Sequence, residues 1–176
     1  MTITANVTIR RPRMEDGANI WRLVKQSGVL DVNSSYCYLM MCKMFPDTCA
    51  VAEMDGRLVG FVIAFRPPVE PDSLFIWQIG VDPALRGNGL GKALIQTLLK
   101  RPTSETIRYI TATISPSNLA SQKLLTSLAR HFSSNLQSSA AEGMDERLFP
   151  EGNHDAEHFY RIGPLKNRTI TPRPIM

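Results

Sequence analysis

At 176 residues, 43% apolar and 20% charged, the chain is long enough for one domain with a sizeable core and has the composition of an ordinary globular protein. No apolar run approaches the roughly 20 residues of a membrane-spanning helix, and the start lacks the apolar core of a secretory signal, so a cytoplasmic protein with no membrane partner is expected. The net charge of +4 is small and evenly spread, which argues against a nucleic-acid partner.

Val7-Thr-Ile-Arg10 alternates and reads as a first strand. The basic run that it opens, Arg10, Arg11 and Arg13, reads as a solvated strand end. Residues 14–25 place Ile20, Trp21, Leu23 and Val24 at helical spacing, and Gly28 supplies a stop. Ser34 or Ser35 can cap a second helix through Met44, and Phe45-Pro46-Asp47 breaks it. Cys37, Cys42 and Cys49 are an odd number with no zinc-like spacing. Cys37 and Cys42 lie in an apolar stretch and are expected to be small buried residues, and neither a disulfide framework nor a metal is expected.

Residues 49–54 read as a strand, Asp55-Gly56 as a hairpin turn, and 57–65 as a returning strand buried on both faces. Pro67, Pro68 and Pro71 mark a loop before an apolar strand over 74–81. A glycine-rich turn at 82–91 leads into a helix to about Lys100, with Leu90, Leu94 and Leu98 on one stripe. A β-branched strand over 107–114 and a helix capped by Ser117 or Asn118 follow. A strand is placed at 131–137, a mobile polar loop at 138–155, a last strand at 157–164, and a disordered tail at 167–176. The order βααβββαβα, then ββ, implies one α/β (α+β) domain over residues 1–166. Its mixed, mostly antiparallel sheet is flanked by helices.

The strongest chemical signal is Arg86-Gly87-Asn88-Gly89-Leu90-Gly91, directly after an apolar strand and opening a helix. Glycines let backbone N–H groups approach an anion, and the helix N-terminus adds free donors and a positive dipole end. Together these suit a pyrophosphate. The same turn could also be a plain tight connection. It is neither the dinucleotide fingerprint nor a nucleotide P-loop, for it follows no first βαβ strand and lacks Gly-Lys-Ser/Thr.

The segment from Ile79 through Arg86 to Gly91 resembles the acetyl-CoA signature of the GNAT superfamily, Arg or Gln, two residues, Gly, one residue, Gly or Ala. That resemblance implies the GNAT fold, with the phosphate loop between the fourth strand and the third helix. It also implies that the N–H groups of Arg86, Gly87, Asn88, Gly89, Leu90 and Gly91 hold the CoA pyrophosphate, with Lys92 adding charge. The backbone of Ile79, Gly80 and Val81 would pair with the pantetheine beside a strand bulge, and the Ile79 N–H would meet the thioester oxyanion. Asn118 matches an asparagine that contacts the pantetheine, Ser121 stands where a small residue is usual, and Lys123 reaches a phosphate or is simply solvated. The sequence departs from the family at Leu125, where many members carry a tyrosine that protonates the leaving thiolate.

Acetyl transfer to an amine needs a neutral nitrogen, hence a proton acceptor, direct or through water. The run Asp31-Val-Asn33-Ser-Ser-Tyr36-Cys-Tyr38-Leu39, the strand Trp77-Gln78-Ile79-Gly80-Val81 and the late His154-Asp155-Ala-Glu157 resemble the pattern of the diaminobutyrate acetyltransferases within that superfamily. The resemblance implies acetylation of the γ-amine of L-2,4-diaminobutyrate, on the route to ectoine, by a homodimer. Asp31 would take an ammonium, or else cap a helix; Asn33 would bond the carboxylate, or else form a turn. Tyr36 and Tyr38 lean to different helix faces, and Tyr38 is preferred as ligand over a plain core aromatic. Trp77 would wall the acceptor cleft, with Gln78 beside it among the binding residues, or pack in the core. Glu157 and His158 alternate, so one points inward; Glu157 is the preferred proton acceptor and His154 the alternative. Another small amine or a peptide N-terminus as acceptor, or a CoA sensor without turnover, are the competing readings.

Overall fold

Asp55 and Gly56 have φ of 52° and 74°, both left-handed, which is what a two-residue hairpin with the right twist requires. This turn joins β2, Ala50–Met54, to β3, Arg57–Phe65, with Met54 opposite Arg57. The structure, a computed structural model, describes residues 7–150, 152 and 154–166, and the disordered tail expected from 167 lies outside them. The remaining elements are β1 Val7–Arg10, α1 Asp16–Ser27, α2 Ser35–Met44, β4 Ser73–Val81, α3 Leu90–Leu99, β5 Tyr109–Ile114, α4 Leu119–His131, β6 Leu136–Met144 and β7 Glu157–Ile162. The strands follow the order β1-β2-β3-β4-β5-β7-β6. β4 and β5 pair in parallel over Ser73–Phe75, while β1–β2, β2–β3, β5–β7 and β6–β7 are antiparallel. The expected mixed sheet is therefore present.

The chain divides into two units, and β4 contributes residues to both. The first unit holds residues up to 65 and 77–105. In it β3 is buried from Leu58 to Ala64, as expected for a strand covered on both faces. Phe61 and Ile63 join Ile20 and Val24 of α1 and Tyr38, Met41 and Cys42 of α2 in one core cluster. A Cβ on Gly60 would lie 3.4 Å from Leu90 and Leu94, so α3 presses on the other face. Gly80 is held by contact rather than by backbone shape, because a Cβ there would sit 2.5 Å from the Phe61 ring. α1 ends at Gly28 in the left-handed region (φ 66°), and Ser34 caps α2 by accepting the Cys37 N–H at 3.3 Å.

The second unit holds 66–76 and, among described residues, 106–166. α4 buries Leu125, Leu128 and Ala129. Two expectations fail here. The strand placed at 131–137 begins only at Leu136, since α4 runs to His131 and a turn follows it, and the polar loop placed at 138–155 is strand as far as Met144. The cause is that β6 is an edge strand with mostly exposed side chains, so LQSSAAEGM carries no apolar alternation. Its extended state comes from the ladder to β7. That ladder shifts register between Ser139 and Met144.

Arg10 is not a solvated strand end. Its guanidinium reaches Asp16 at 2.7 Å and 2.9 Å and Glu53 at 2.9 Å and 3.0 Å, tying the end of β1 to the start of α1 and to β2. Burial pushes the Asp16 carboxyl up, but the hydrogen bonds from Arg10 and from the Arg13 N–H outweigh it and hold Asp16 below its ordinary 3.8.

Candidate active site

In the first unit, Asp82 starts the phosphate loop. Its carboxylate accepts the Ala84 N–H at 3.0 Å, which closes a short 3-10 turn over Pro83–Leu85. Arg86 then folds back, Nε donating to the Val81 carbonyl at 3.2 Å, and Asn88 Nδ2 donates to the Leu85 carbonyl at 3.3 Å. Gly87 and Gly89 sit at φ 79° and 81°, and nothing lies within 4 Å of where their side chains would be. Arg86, Gly87, Asn88 and Gly89 are all exposed, while Leu90 is buried and anchors α3. Gly89 caps α3 without a side-chain bond, and the first turn holds no acidic residue. First-turn N–H groups have no partner inside a helix. An exposed, acid-free helix start behind two left-handed glycines fits an anionic pyrophosphate. Gly91 and Lys92 follow on the first turn, both half-buried.

The acceptor candidates of this unit converge on one buried contact. Tyr38 is fully buried, with its ring stacked on Trp77 at 6.4 Å between centroids. Its hydroxyl donates to Gln78 Oε1 at 2.9 Å, and Gln78 Nε2 donates to the Asp31 carbonyl, also at 2.9 Å. The Asn33 N–H and Nδ2 point at the same hydroxyl from 3.4 Å and 3.5 Å. Tyr36 is 74% exposed, so the two tyrosines do lie on different helix faces. The Asp31 side chain is exposed, and the cap of α2 is Ser34 rather than Asp31. Ile79, Gly80 and Val81 end β4, half-buried, and the Asp82 N–H closes this end on the Val59 carbonyl at 2.9 Å.

In the second unit, Glu157 opens β7 and its Oε2 accepts the Thr113 hydroxyl of β5. Thr113 pairs with Phe159, so Glu157 is its diagonal neighbour on the same face, and His158 points to the other face. His154 stacks on Phe149 at 3.9 Å, and its Nδ1 lies 2.7 Å from the Asp155 carbonyl. The Asp155 carboxylate accepts the Ser117 hydroxyl at 3.1 Å. Asn118 caps α4, its Oδ1 accepting the Ser121 N–H at 3.1 Å, which turns its amide nitrogen away from the helix as the side chain's donor group. Lys123 is exposed on α4. Leu125 is buried among the apolar residues of α4, so the position where the family tyrosine would stand is a core contact.

Sequence reasoning did not single out Thr113. The signal was available only through register, since β5 and β7 are far apart in the chain. The engagement of the Gln78 amide had a clearer sign, for a glutamine inside LFIWQIGV must find hydrogen-bond partners if buried. No group of three or more His, Cys, Asp or Glu placed to hold a metal occurs among the described residues.

Residues 18–129 match the model of the acetyltransferase (GNAT) family. The chain is 49% identical over 164 residues to an L-2,4-diaminobutyric acid acetyltransferase of Halalkalibacterium halodurans, covering 93% of this chain and 85% of that relative. It is 48% identical over 167 residues to a protein of the same name from Shouchella clausii, covering 95% and 92%. Among solved structures it is similar to diaminobutyrate acetyltransferase EctA from Paenibacillus lautus, in complex with its substrate L-2,4-diaminobutyric acid and coenzyme A. That match has a TM-score of 0.87 and 38% identity, and spans 93% of this chain and 98% of the other.

Proposed function

The chain belongs to the acetyltransferase (GNAT) family, and from that premise we propose that it moves the acetyl group of acetyl-CoA to the γ-amine of L-2,4-diaminobutyrate. The observation that carries the acceptor is the 38% identity, across nearly the whole chain, to an enzyme whose structure holds that diamino acid and coenzyme A. The product is N-γ-acetyl-diaminobutyrate, an ectoine precursor.

The reaction needs no covalent enzyme intermediate. The neutral amine nitrogen bonds to the thioester carbon, the carbon–sulfur bond breaks, and the amine loses one proton as the CoA thiolate leaves. The open helix start at Gly89 receives the pyrophosphate, and the Ile79 N–H faces the developing oxyanion. Asp31 and Asn33 take the charges of the amino acid, with Trp77 packed behind them against Tyr38. Glu157, held by Thr113, accepts the amine proton, and His154 is the second choice. With Leu125 in the core, no tyrosine protonates the thiolate from that position; a thiol is acidic enough to leave as the anion.

The same reading carries a cytoplasmic homodimer. No described helix is long and apolar enough to cross a membrane, and sedimentation tests the dimer.

The test is thiol release from acetyl-CoA with diaminobutyrate, diaminopropionate, ornithine, lysine and a peptide amine. Fast release with diaminobutyrate alone is expected. Release with the peptide or a longer diamine instead would overturn the acceptor and leave the family in place. Two of the protein's three thiols interfere little, since burial pushes Cys42 up to about 12 and Cys49 up to about 11, and a blank without acceptor corrects for the half-buried Cys37.

A further inference from the structure

Gln78 is 7% exposed in the middle of an apolar strand, and both ends of its amide are used. The orientation of that amide is fixed by chemistry. The Asp31 carbonyl can only accept, so the amide nitrogen must face it, at 2.9 Å. The amide oxygen therefore faces Tyr38, whose hydroxyl donates its single hydrogen there, at 2.9 Å. With its hydrogen committed, the hydroxyl can only accept from the Asn33 N–H at 3.4 Å and Asn33 Nδ2 at 3.5 Å. The bonds thus run from the Asn33 amide through Tyr38 and Gln78 to the Asp31 carbonyl, from which Asn33 Nδ2 and the Tyr38 hydroxyl also lie at 3.4 Å and 3.5 Å. Both ends of this relay lie in the short segment before α2 that presents the Asp31 and Asn33 side chains.

We propose that Gln78 is a positioning residue for acceptor recognition: it touches no substrate, and it fixes the segment 31–34 so that Asp31 and Asn33 stand ready for a small diamino acid. The inference rests on the diaminobutyrate reading above. No apolar or ionised residue of this size does the same. Methionine would fill the space and remove the 2.9 Å partner of both the Tyr38 hydroxyl and the Asp31 carbonyl, leaving them the longer contacts of 3.4–3.5 Å with Asn33 and with each other. Glutamate, when ionised, would offer two acceptors and repel the Asp31 carbonyl. Protonated, it would offer one donor and one acceptor as the amide does.

Two variants test this, Gln78→Met and Gln78→Glu. For Gln78→Met, KM for diaminobutyrate is expected to rise on the order of tenfold or more, with KM for acetyl-CoA within about twofold of the parent. For Gln78→Glu, the ratio of its diaminobutyrate Kd to that of the parent, measured by calorimetry between about pH 5 and 7.5, is expected to approach one in acid. It should climb as the buried carboxyl ionises. Loosening by mere misfolding would give no such return in acid. Hydrogen exchange at the Asn33 amide supplies a readout independent of turnover, expected on the order of tenfold faster in Gln78→Met, with β5 amides unchanged. An unchanged diaminobutyrate KM together with unchanged Asn33 exchange would overturn the proposal, and so would a flat Kd ratio in Gln78→Glu. If the parent protein fails to turn over diaminobutyrate, the acceptor reading falls by itself, and Asn33 exchange still decides whether Gln78 holds the segment.

Discussion

At the scale of single residues, the candidate base and its partner make the sharpest test. Glu157 is held by the Thr113 hydroxyl from the neighbouring strand, so its carboxylate has a fixed direction before any substrate binds. Glu157→Gln keeps the shape and removes the basic oxygen. It is expected to lower kcat by about a hundredfold or more, with KM for acetyl-CoA near the parent value, in steady-state kinetics. A kcat within a few-fold of the parent would shift the role to His154 or to a relayed water. Residue roles were only partly legible in the sequence. That Tyr36 and Tyr38 cannot share a face followed from helix geometry, though not which of them points inward, which is Tyr38. Its complete burial did not, because that depends on β3 and β4 packing over it. The pairing of Thr113 with Glu157 was invisible for the same reason, being a contact set by strand register.

At the scale of elements, the two helix starts behave differently. The start of α1 is tied down by charge: Asp16 accepts from Arg10 and from the Arg13 N–H. Its carboxyl is held below 3.8, so the stability it contributes is fully present above that value and is lost as pH falls through the lower folded-state value. The thermal midpoint is therefore expected to drop steeply below about pH 4, and Asp16→Asn should flatten that acid limb while lowering the midpoint at neutral pH. The start of α3 is instead left open. Gly89→Val would force a branched residue into φ 81°, which costs about 1–2 kcal/mol and crowds the N–H groups offered to pyrophosphate. KM for acetyl-CoA is expected to rise on the order of tenfold, with little change in the diaminobutyrate KM. Elements whose burial leaves a pattern, such as β3 and the Leu90-Leu94-Leu98 stripe, were readable from sequence. β6 was not, because an exposed edge strand has no buried face to impose alternation.

At the scale of the molecule, the first unit is held together by more than apolar packing. Arg101, just past α3, donates from one guanidinium nitrogen to the carbonyls of Pro46, Asp47 and Cys49 at 3.1, 2.8 and 2.7 Å. It thereby ties the far end of the phosphate-loop helix to the turn after α2, the helix that carries Tyr38. Burial lowers its pKa, since the carbonyls carry no full charge to offset desolvation. Arg101→Met is expected to leave those carbonyls unpaired and to reduce stability by about 1–3 kcal/mol, read from denaturant unfolding. Saturating CoA should restore part of the loss by mass action.

The contact between Gly80 and Phe61 has a consequence for how such a chain can drift in evolution. The ring occupies the volume that any side chain at position 80 would need. A first step to alanine at 80 is therefore closed while the phenylalanine stands, and a first step to a small residue at 61 leaves a hole in a core cluster. The two positions are expected to be frozen together or exchanged together, never one at a time, across a collection of descendants. A library randomised at 61 and 80 and screened for thiol release from acetyl-CoA with diaminobutyrate would show that linkage directly.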